Sequence, residues 1–304
     1  MSLRPQGLKE NWSLAPLTSW LVGGPAEFYL EPQSEVDLRE GIEWALSEGL
    51  SIQILGGGTN VLIHDSGVRG LVIGLRRFAQ LQNQVVDGEL RLNVLSGTSK
   101  AELLKVFLKH KLEPAVFLAG LPGDVGGGIV MNAGVAEALR PREFVELTRS
   151  IRVWDWSQGQ IQERVQRRED LHWDYRHCRG WQPGVIVSAE LAWPFEPQDD
   201  VLERVRKANQ VRLTKQPLDL PSCGSVFVNP PGDKAGRLIE AAGLKGYRVG
   251  GAQVSPKHAN FIVNVGGSLA QDLDVVIRHV QAEVQKQFGV QLRTEVVYLG
   301  EWPH

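Results

Sequence analysis

Two glycine-rich loops carry the residue types best suited to chemistry. The first runs from Leu55 to Leu62 and contains three consecutive glycines. The second runs from Gly120 to Gly128 and continues to Gly134. Glycine lets backbone N–H groups close on an anion, because no side chain blocks the approach. One such loop alone is more often a tight turn, but two of them, flanked by Asn60 and Asn132, favour a clamp around the diphosphate of a dinucleotide.

The common nucleotide-binding fingerprints do not fit these loops. A dinucleotide fingerprint of the Rossmann type requires its glycines to open a helix. Here the residues after Asn60 form a short, β-rich segment that Gly67 and Gly70 interrupt. The glycine–lysine pattern of a phosphate-binding P-loop does not occur in the sequence.

The composition is that of an ordinary soluble protein. The chain has 304 residues, of which 42% are hydrophobic and 22% charged, and its net charge is −2. This charge gives no field to recruit nucleic acid or an anionic membrane. The two cysteines are too few for a disulfide framework, and no signal peptide or membrane span is predicted. We therefore expect a reduced, cytoplasmic protein that binds neither nucleic acid nor membrane.

Three segments have helix start signals. Ser34 precedes an apolar pattern that ends at Gly49. Ser99 and Glu102 have the spacing of a capping box. Ser268 is predicted to cap a long helix near the carboxyl terminus.

The remaining elements alternate irregularly. We predict that residues Leu118 to Gly128 form a loop and that Val290 to Leu299 form a strand. Strands and helices are mixed without steady βαβ alternation, which indicates an α+β fold.

Several segments together resemble one known family. In the amino-terminal half they are residues 18–26 and the two glycine loops. In the carboxy-terminal half they are residues 224–230, 235–239, 243–246, 250–255 and 257–264. In this order they resemble the UDP-N-acetylenolpyruvoylglucosamine reductases, flavoproteins of the vanillyl-alcohol-oxidase-like superfamily. The resemblance implies a two-lobed FAD-binding domain, with lobes at residues 1–78 and 79–196, and a smaller α+β substrate-binding domain at residues 197–304.

The resemblance also implies a reaction and its catalytic residues. NADPH would reduce FAD, and a hydride would pass from the flavin to the β-carbon of an enolpyruvyl group on a UDP-linked aminosugar. Arg176 and Glu295 match the family residues that stabilise the developing negative charge, and Ser225 matches the general acid. Taken alone, Arg176 is typical of a surface ion pair, Ser225 of a turn hydroxyl and Glu295 of an exposed strand position.

The binding residues are implied in the same way. The residues expected to bind FAD are Gly56, Gly57, Gly58, Thr59, Asn60, Val61, Leu121, Pro122, Gly123, Asp124, Gly127, Gly134 and Val135. The residues expected to bind the UDP part are Asn229, Lys215 and Lys257, although each lysine alone is equally typical of a solvated charge.

The chain departs from the family pattern at two positions. Asp124 stands where a small hydroxyl residue is common, and a carboxylate is unfavourable beside a diphosphate unless it points away. Val228 replaces a common lysine. No long insertion follows Arg176, which indicates the shorter subclass without an extra tyrosine loop.

The cysteine and histidine residues do not form a recognisable nucleophile or metal site. Cys223 is predicted to be inert packing, because the expected reaction needs no covalent step. His172, His177 and Cys178 match no standard zinc spacing, so no metal site is predicted.

Two other functions remain open from the sequence. A related FAD-dependent oxidase acting on an alcohol or sugar would share the amino-terminal half. A non-catalytic flavin or nucleotide sensor could retain the scaffold without turnover. The leading hypothesis is a monomeric reductase that makes a peptidoglycan precursor.

Overall fold

The computed structural model describes residues 3–135 and 139–303. The chain divides into two compact units. Unit 1 contains the residues up to Lys9 together with Phe28–Gly57 and Gly70–Gln210. Unit 2 contains Glu10–Glu27, Gly58–Arg69 and the residues from Val211 onward. The border between Gly57 and Gly58 therefore falls inside the first glycine loop.

Helices and strands are mixed along the whole chain. The helices are α1 (Glu35–Ser47), α2 (Lys100–Lys109), α3 (Pro114–Leu118), α4 (Val125–Val130), α5 (Val201–Lys215), α6 (Ala235–Ala241) and α7 (Ala270–Phe288). The strands are β1 (Lys9–Ser13), β2 (Pro25–Leu30), β3 (Ile52–Leu55), β4 (Val61–Ile63), β5 (Val68–Gly74), β6 (Leu81–Val86), β7 (Glu89–Leu95), β8 (Thr148–Asp155), β9 (Gln162–Arg167), β10 (His172–Asp174), β11 (His177–Arg179), β12 (Gly184–Pro194), β13 (Arg248–Val249), β14 (Ala252–Val254), β15 (Ile262–Asn264) and β16 (Val297–Leu299). This pattern agrees with the predicted α+β class. Among the described residues, no helix combines the length and apolar character that crossing a membrane requires.

Unit 1 is built around an antiparallel sheet in the order β6-β7-β12-β8-β9. Its larger core joins alternate residues of β7 and β12 to helices α2, α3 and α4. Leu92, Leu103, Phe107, Phe117 and Phe144 are fully buried there. Burying side chains of this size supplies most of the favourable free energy of such a core. The core holds α4, and with it the second glycine loop, on the sheet.

A second core in unit 1 lies under α1. Leu38 and Ile42 of this helix pack with Leu71 and Ile73 of β5, which pairs in parallel with β3. The helix begins at a capping box in which the Ser34 side chain accepts from the amide of residue 37. This core fixes the end of β3, from which the first glycine loop departs.

Unit 2 has one core around the long helix α7. Leu273, Ile277 and Val280 of this helix pack together with residues of strands β14 and β15. The indole nitrogen of Trp20 donates to the carbonyl of Ile262 at 2.7 Å, and this bond ties the amino-terminal segment into the same core. Strand β16 pairs in parallel with β4, which follows the first glycine loop.

Three local predictions were wrong. Part of the predicted loop Leu118 to Gly128 is helical, because α4 begins at Val125 after an Asp124 N-cap. The carboxy-terminal strand covers only Val297–Leu299 of the predicted range. Helix α7 is not capped by Ser268. The carboxylate of Asp65 accepts from the amides of Ala270 and Gln271, each at 2.9 Å.

Candidate active site

The two glycine loops meet inside unit 1. A Cβ atom on Gly57 would lie 2.8 Å from the Cα of Gly123, and one on Gly56 would lie 2.5 Å from Oδ2 of Asp124. Both distances are shorter than side-chain carbon atoms tolerate, and at Gly57 the obstacle is backbone, so glycine is required there for steric reasons. We call the backbone of Gly56, Gly57, Gly123 and Asp124 the amide cradle.

The amide cradle has the donors that a diphosphate needs. Within residues 3–135 and 139–303, the amides of Gly56, Gly123 and Asp124 donate no hydrogen bond to another group. Backbone donors left without a partner are rare unless water or a ligand satisfies them. Arg76 adds positive charge at the rim, where its guanidinium donates to the Gly57 carbonyl at 2.8 Å. These residues fit the diphosphate of FAD.

The side chain of Asp124 caps α4. Its Oδ1 accepts from the amide of Gly127 at 2.6 Å, so that amide is already bonded inside the protein. The carboxyl group is buried, and burial raises its pKa, while the nearby Gly57 amide and the Lys100 ammonium favour its charged form. The Asp124 side chain therefore serves as the cap of α4, and its backbone amide is the group that an anion could bind.

The other predicted FAD residues of unit 1 contact the core, Lys100 or Arg176. Leu121 and Val135 pack against the larger core, and the Pro122 carbonyl accepts from Nζ of Lys100 at 2.8 Å. Gly134 lies against Arg176, since a Cβ there would approach Nη1 of the arginine to 2.6 Å. The second loop thus supplies backbone and packing rather than polar side chains.

Arg176 occupies the turn between β10 and β11 with a left-handed backbone, at φ 59°. Its guanidinium donates to the Gly134 carbonyl at 3.2 Å and stacks over the ring of Tyr175 at 4.6 Å. The structure therefore brings one predicted catalytic residue to the end of the second glycine loop. The sequence did not show this contact, because the two segments are distant along the chain.

Asn132 holds this arrangement in place. Its side-chain amide donates to the carbonyl of Asp174 at 3.1 Å and to the carboxylate of Glu143 at 3.0 Å. Its side-chain oxygen accepts from the amide of Val145. Asn132 is 1% exposed, so these bonds form in an environment where unpaired polar groups are costly. Its place beside the second loop was visible in the sequence, but its positioning role was not.

The rest of the first glycine loop belongs to unit 2. Gly58 has a left-handed backbone, and a Cβ there would clash with the carbonyl of Leu17. Its carbonyl accepts from the amide of Ser19 at 2.9 Å. Thr59 is half-buried, and Val61 begins β4. Backbone contacts with Leu17 and Ser19 therefore hold this part of the loop in place.

Asn60 and Glu295 are joined directly. The side-chain amide of Asn60 donates to the Glu295 carbonyl at 2.8 Å, and the Asn60 carbonyl accepts from the amide of Val297 at 3.0 Å. A residue predicted to bind FAD is thus bonded to the backbone of a predicted catalytic residue.

Ser225 lies on the neighbouring backbone segment. The amide of Val226 donates to the Asn260 carbonyl, and the amide of Glu295 donates to the Val226 carbonyl, both at 2.8 Å. The side chain of Asn260 accepts from the amide of Phe227 and donates to its carbonyl. The half-buried residues Ser225 and Glu295 are therefore held on adjacent segments of unit 2.

The two cysteine thiols are buried. Burial raises the pKa of the Cys178 thiol to about 12. Burial, followed by the charge of Glu295, raises the pKa of the Cys223 thiol well above its usual value. Because the thiolate is the reactive form, these raised pKa values agree with the prediction that Cys223 is inert, and they disfavour a nucleophilic role for Cys178 as well.

The predicted UDP-binding residues are all exposed. Asn229 is exposed, and its Oδ1 accepts from the first amide of α6, that of Ala235, at 3.1 Å. Lys215 is exposed at the end of α5. Lys257 is also exposed and donates from Nζ to the Leu213 carbonyl at 2.7 Å, which places it near the end of the same helix.

Family comparisons define the class of protein. Residues 26–164 match the family model described as an FAD binding domain. Residues 216–299 match the model described as the UDP-N-acetylenolpyruvoylglucosamine reductase, C-terminal domain. Together with the amide cradle, these matches identify an FAD-dependent oxidoreductase and confirm the predicted fold class and FAD cofactor.

Individual relatives extend the match over the whole chain. A UDP-N-acetylenolpyruvoylglucosamine reductase from Synechococcus sp. (strain CC9605) is 41% identical and covers 97% of this chain and 96% of its own. The enzyme from Limosilactobacillus fermentum is 39% identical, with coverages of 96% and 94%. A crystal structure of the Thermus caldophilus enzyme superposes with a TM-score of 0.76 at 29% identity, over 96% of this chain and 98% of its own. The chain belongs to the UDP-N-acetylenolpyruvoylglucosamine reductase family, as predicted.

Proposed function

We propose that this protein reduces UDP-N-acetylglucosamine enolpyruvate to UDP-N-acetylmuramate, with NADPH as the electron donor. The observation that carries the proposal is an amide cradle in which Gly57 packs directly against the backbone of Gly123, in a chain that matches such reductases over 96% of its length. The product is a precursor of peptidoglycan.

The residues of unit 1 hold the cofactor. The unpaired amides of the cradle bind the diphosphate, and Arg76 adds a cation at its rim. In unit 2, Gly58, Thr59, Asn60 and Val61 continue the first loop. FAD, when bound, would supply the hydride chemistry between NADPH and the β-carbon of the enolpyruvyl group. The protein supplies orientation and electrostatic stabilisation.

Three side chains act on the substrate. Arg176 stabilises the negative charge that develops on the α-carbon and its carboxylate, through charge-assisted hydrogen bonds. Glu295 polarises the same group. The Ser225 hydroxyl donates a proton to the α-carbon as the general acid. A serine hydroxyl is a weak acid, but a carbanion is basic enough to take its proton.

The UDP part is bound by exposed polar groups of unit 2. Asn229 uses its side-chain oxygen to accept from Ala235, and its amide nitrogen carries two donors for a ligand. Lys257 and Lys215 supply positive charge near the end of α5. Lysine is well suited to phosphate because its ammonium carries three rotatable donors.

The protein is further proposed to act as a monomer in the cytoplasm, without binding nucleic acid or membrane. Its functional domains are proposed to be the two FAD-binding lobes at residues 1–78 and 79–196 and the substrate domain at residues 197–304. Its net charge of −2 agrees with the absence of a polyanionic partner. Sedimentation analysis of the flavin-loaded protein measures its oligomeric state and so tests whether it is a monomer.

A stopped-flow experiment on the purified protein tests the reaction. The protein is expected to be yellow, and anaerobic NADPH should bleach the flavin absorption band. Mixing the reduced protein with UDP-N-acetylglucosamine enolpyruvate should restore the band and form UDP-N-acetylmuramate. NADH in place of NADPH is the matched control for the electron donor.

Two results would contradict the proposal. A colourless protein that takes up no added FAD would show that the protein does not use this cofactor, and would refute the proposal. A yellow protein that is not reoxidised by the enolpyruvyl sugar nucleotide, but consumes oxygen with simple alcohols, would instead identify an oxidase.

A further inference from the structure

We propose that Lys100 determines how tightly the diphosphate of FAD is bound, because its buried ammonium neutralises the Asp124 carboxylate beside the amide cradle. This inference rests on the proposed function, since it requires the diphosphate at that cradle. Lys100 is not among the residues expected to bind FAD.

Asp124 places a buried negative charge beside the amide cradle. One carboxylate oxygen, Oδ1, is bonded to Gly127. The other, Oδ2, is buried and has no hydrogen bond of normal geometry within the described part of the chain. It is directed at Gly56, on which a Cβ would lie 2.5 Å away. An uncompensated negative charge would therefore face the cradle where a dianionic diphosphate must bind.

The ammonium of Lys100 supplies the positive charge that compensates the Asp124 carboxylate. It is the first residue of α2 and is 5% exposed. Its stem packs on Gly128, and its ammonium lies 5.4 Å from the centre of the Phe144 ring. Nζ donates to the carbonyl of Pro122, a residue of the second loop. The cation is thereby fixed under the loop, where the low dielectric strengthens its attraction to Asp124.

The titration behaviour of both groups agrees with this geometry. Burial lowers the pKa of Lys100 to about 8, and the charge of Asp124 opposes that decrease. Burial raises the pKa of Asp124, and Lys100 opposes that increase. Arg76 also favours the charged form of Asp124, but its side chain is exposed and its effect is weaker.

Packing alone does not explain a lysine at this position. The site is apolar enough to lower the pKa of the ammonium, and an apolar side chain would occupy it without a desolvation penalty. A buried charge is retained at lower cost when an opposite charge accompanies it. No hydrogen bond or ion pair joins these two side chains in the described part of the chain, so each charge favours the charged form of the other through the buried interior between them.

A double-mutant cycle on FAD affinity tests the inference. The proteins are the wild type, Lys100→Leu, Asp124→Ser and Lys100→Leu/Asp124→Ser, since serine can still cap α4. The dissociation constant of FAD is measured on apoprotein by flavin fluorescence. Riboflavin, which lacks the diphosphate, is the second ligand. Lys105→Leu on the exposed face of α2 is the matched control.

The expected effects differ in sign between the single variants. Lys100→Leu should weaken FAD binding by roughly 10- to 100-fold, while Asp124→Ser should leave it equal or tighter. The double variant should return to within about threefold of the wild type. Riboflavin binding and the Lys105→Leu variant should show no such change.

Several outcomes would overturn the inference. One is an FAD affinity of Lys100→Leu within about threefold of the wild type. Another is a double variant as weak as Lys100→Leu, which would assign Lys100 to packing or direct contact. If Lys100→Leu fails to fold, a folded double variant that binds FAD supports compensation, and an unfolded one refutes it. A wild type that binds no FAD would refute the proposed function itself.

Discussion

Two buried asparagines, one in each unit, both fix a backbone segment through side-chain hydrogen bonds, but their surroundings differ. Asn132 in unit 1 bonds to Asp174, two residues before Arg176, and also to the carboxylate of Glu143. Asn260 in unit 2 bonds to both backbone groups of Phe227, two residues after Ser225. In both cases an amide side chain fixes the backbone beside a proposed catalytic residue.

The difference lies in the charges around them. Unit 1 surrounds its loop with Glu143, Arg176 and the buried pair Lys100–Asp124. The Ser225 segment of unit 2 is fixed by neutral amide and backbone bonds. Charged groups can respond to a charged ligand and to pH, whereas neutral hydrogen bonds mainly set geometry. We therefore expect unit 1 to control cofactor affinity and unit 2 to control the proton-transfer step.

The largest expected effect comes from Ser225→Ala. Removing the proposed general acid should slow reoxidation by the enolpyruvyl substrate by about 10²–10⁴-fold. NADPH reduction of the flavin and FAD affinity should stay near wild type. Stopped-flow absorbance of the two half-reactions measures this split. Equal damage to both half-reactions would contradict the assignment, and Ser222→Ala on the same segment is the control.

A moderate effect is expected from Asn260→Ala. The variant leaves the buried amide and carbonyl of Phe227 without their partners, which should cost roughly 2–3 kcal/mol of unfolding free energy. Urea denaturation of the apoprotein gives this value, with the exposed Asn93→Ala as control. A loss indistinguishable from that of Asn93→Ala would show that the clamp on Phe227 contributes little.

The smallest expected effect is a pH dependence of FAD binding. Bound diphosphate favours the protonated form of Lys100, so binding raises its pKa above about 8 and takes up a proton. FAD affinity should therefore fall severalfold as pH rises through that value. Asp124 and Arg76 are the charged groups that contribute to this site. Titrating FAD at pH 7 and at pH 9 measures the change, and a similar dependence in Lys100→Leu would exclude Lys100 as its source.

Local signals in the sequence predicted the elements whose partners lie close along the chain. Ser99 and Glu102 form the predicted capping box, and Ser34 begins α1 as expected. Helix α7 was predicted close to its observed beginning, but its cap by Asp65 could not be predicted, because Asp65 lies in a distant segment. Helix α4 was missed because its glycine-rich sequence has low helix propensity. It is stabilised by the Asp124 cap and by burial of Val125 and Ile129.

The sequence by itself determined the family, the FAD cofactor and the α+β class. These depend on motifs whose residue types, spacing and order along the chain can be read without the fold. Only the tertiary structure showed that Arg176 contacts Gly134, that Asn60 bonds to Glu295, and that a buried lysine lies beneath the second loop. Such contacts join residues far apart along the chain. Their strength depends on burial, and burial is a property of the folded chain and not of the local sequence.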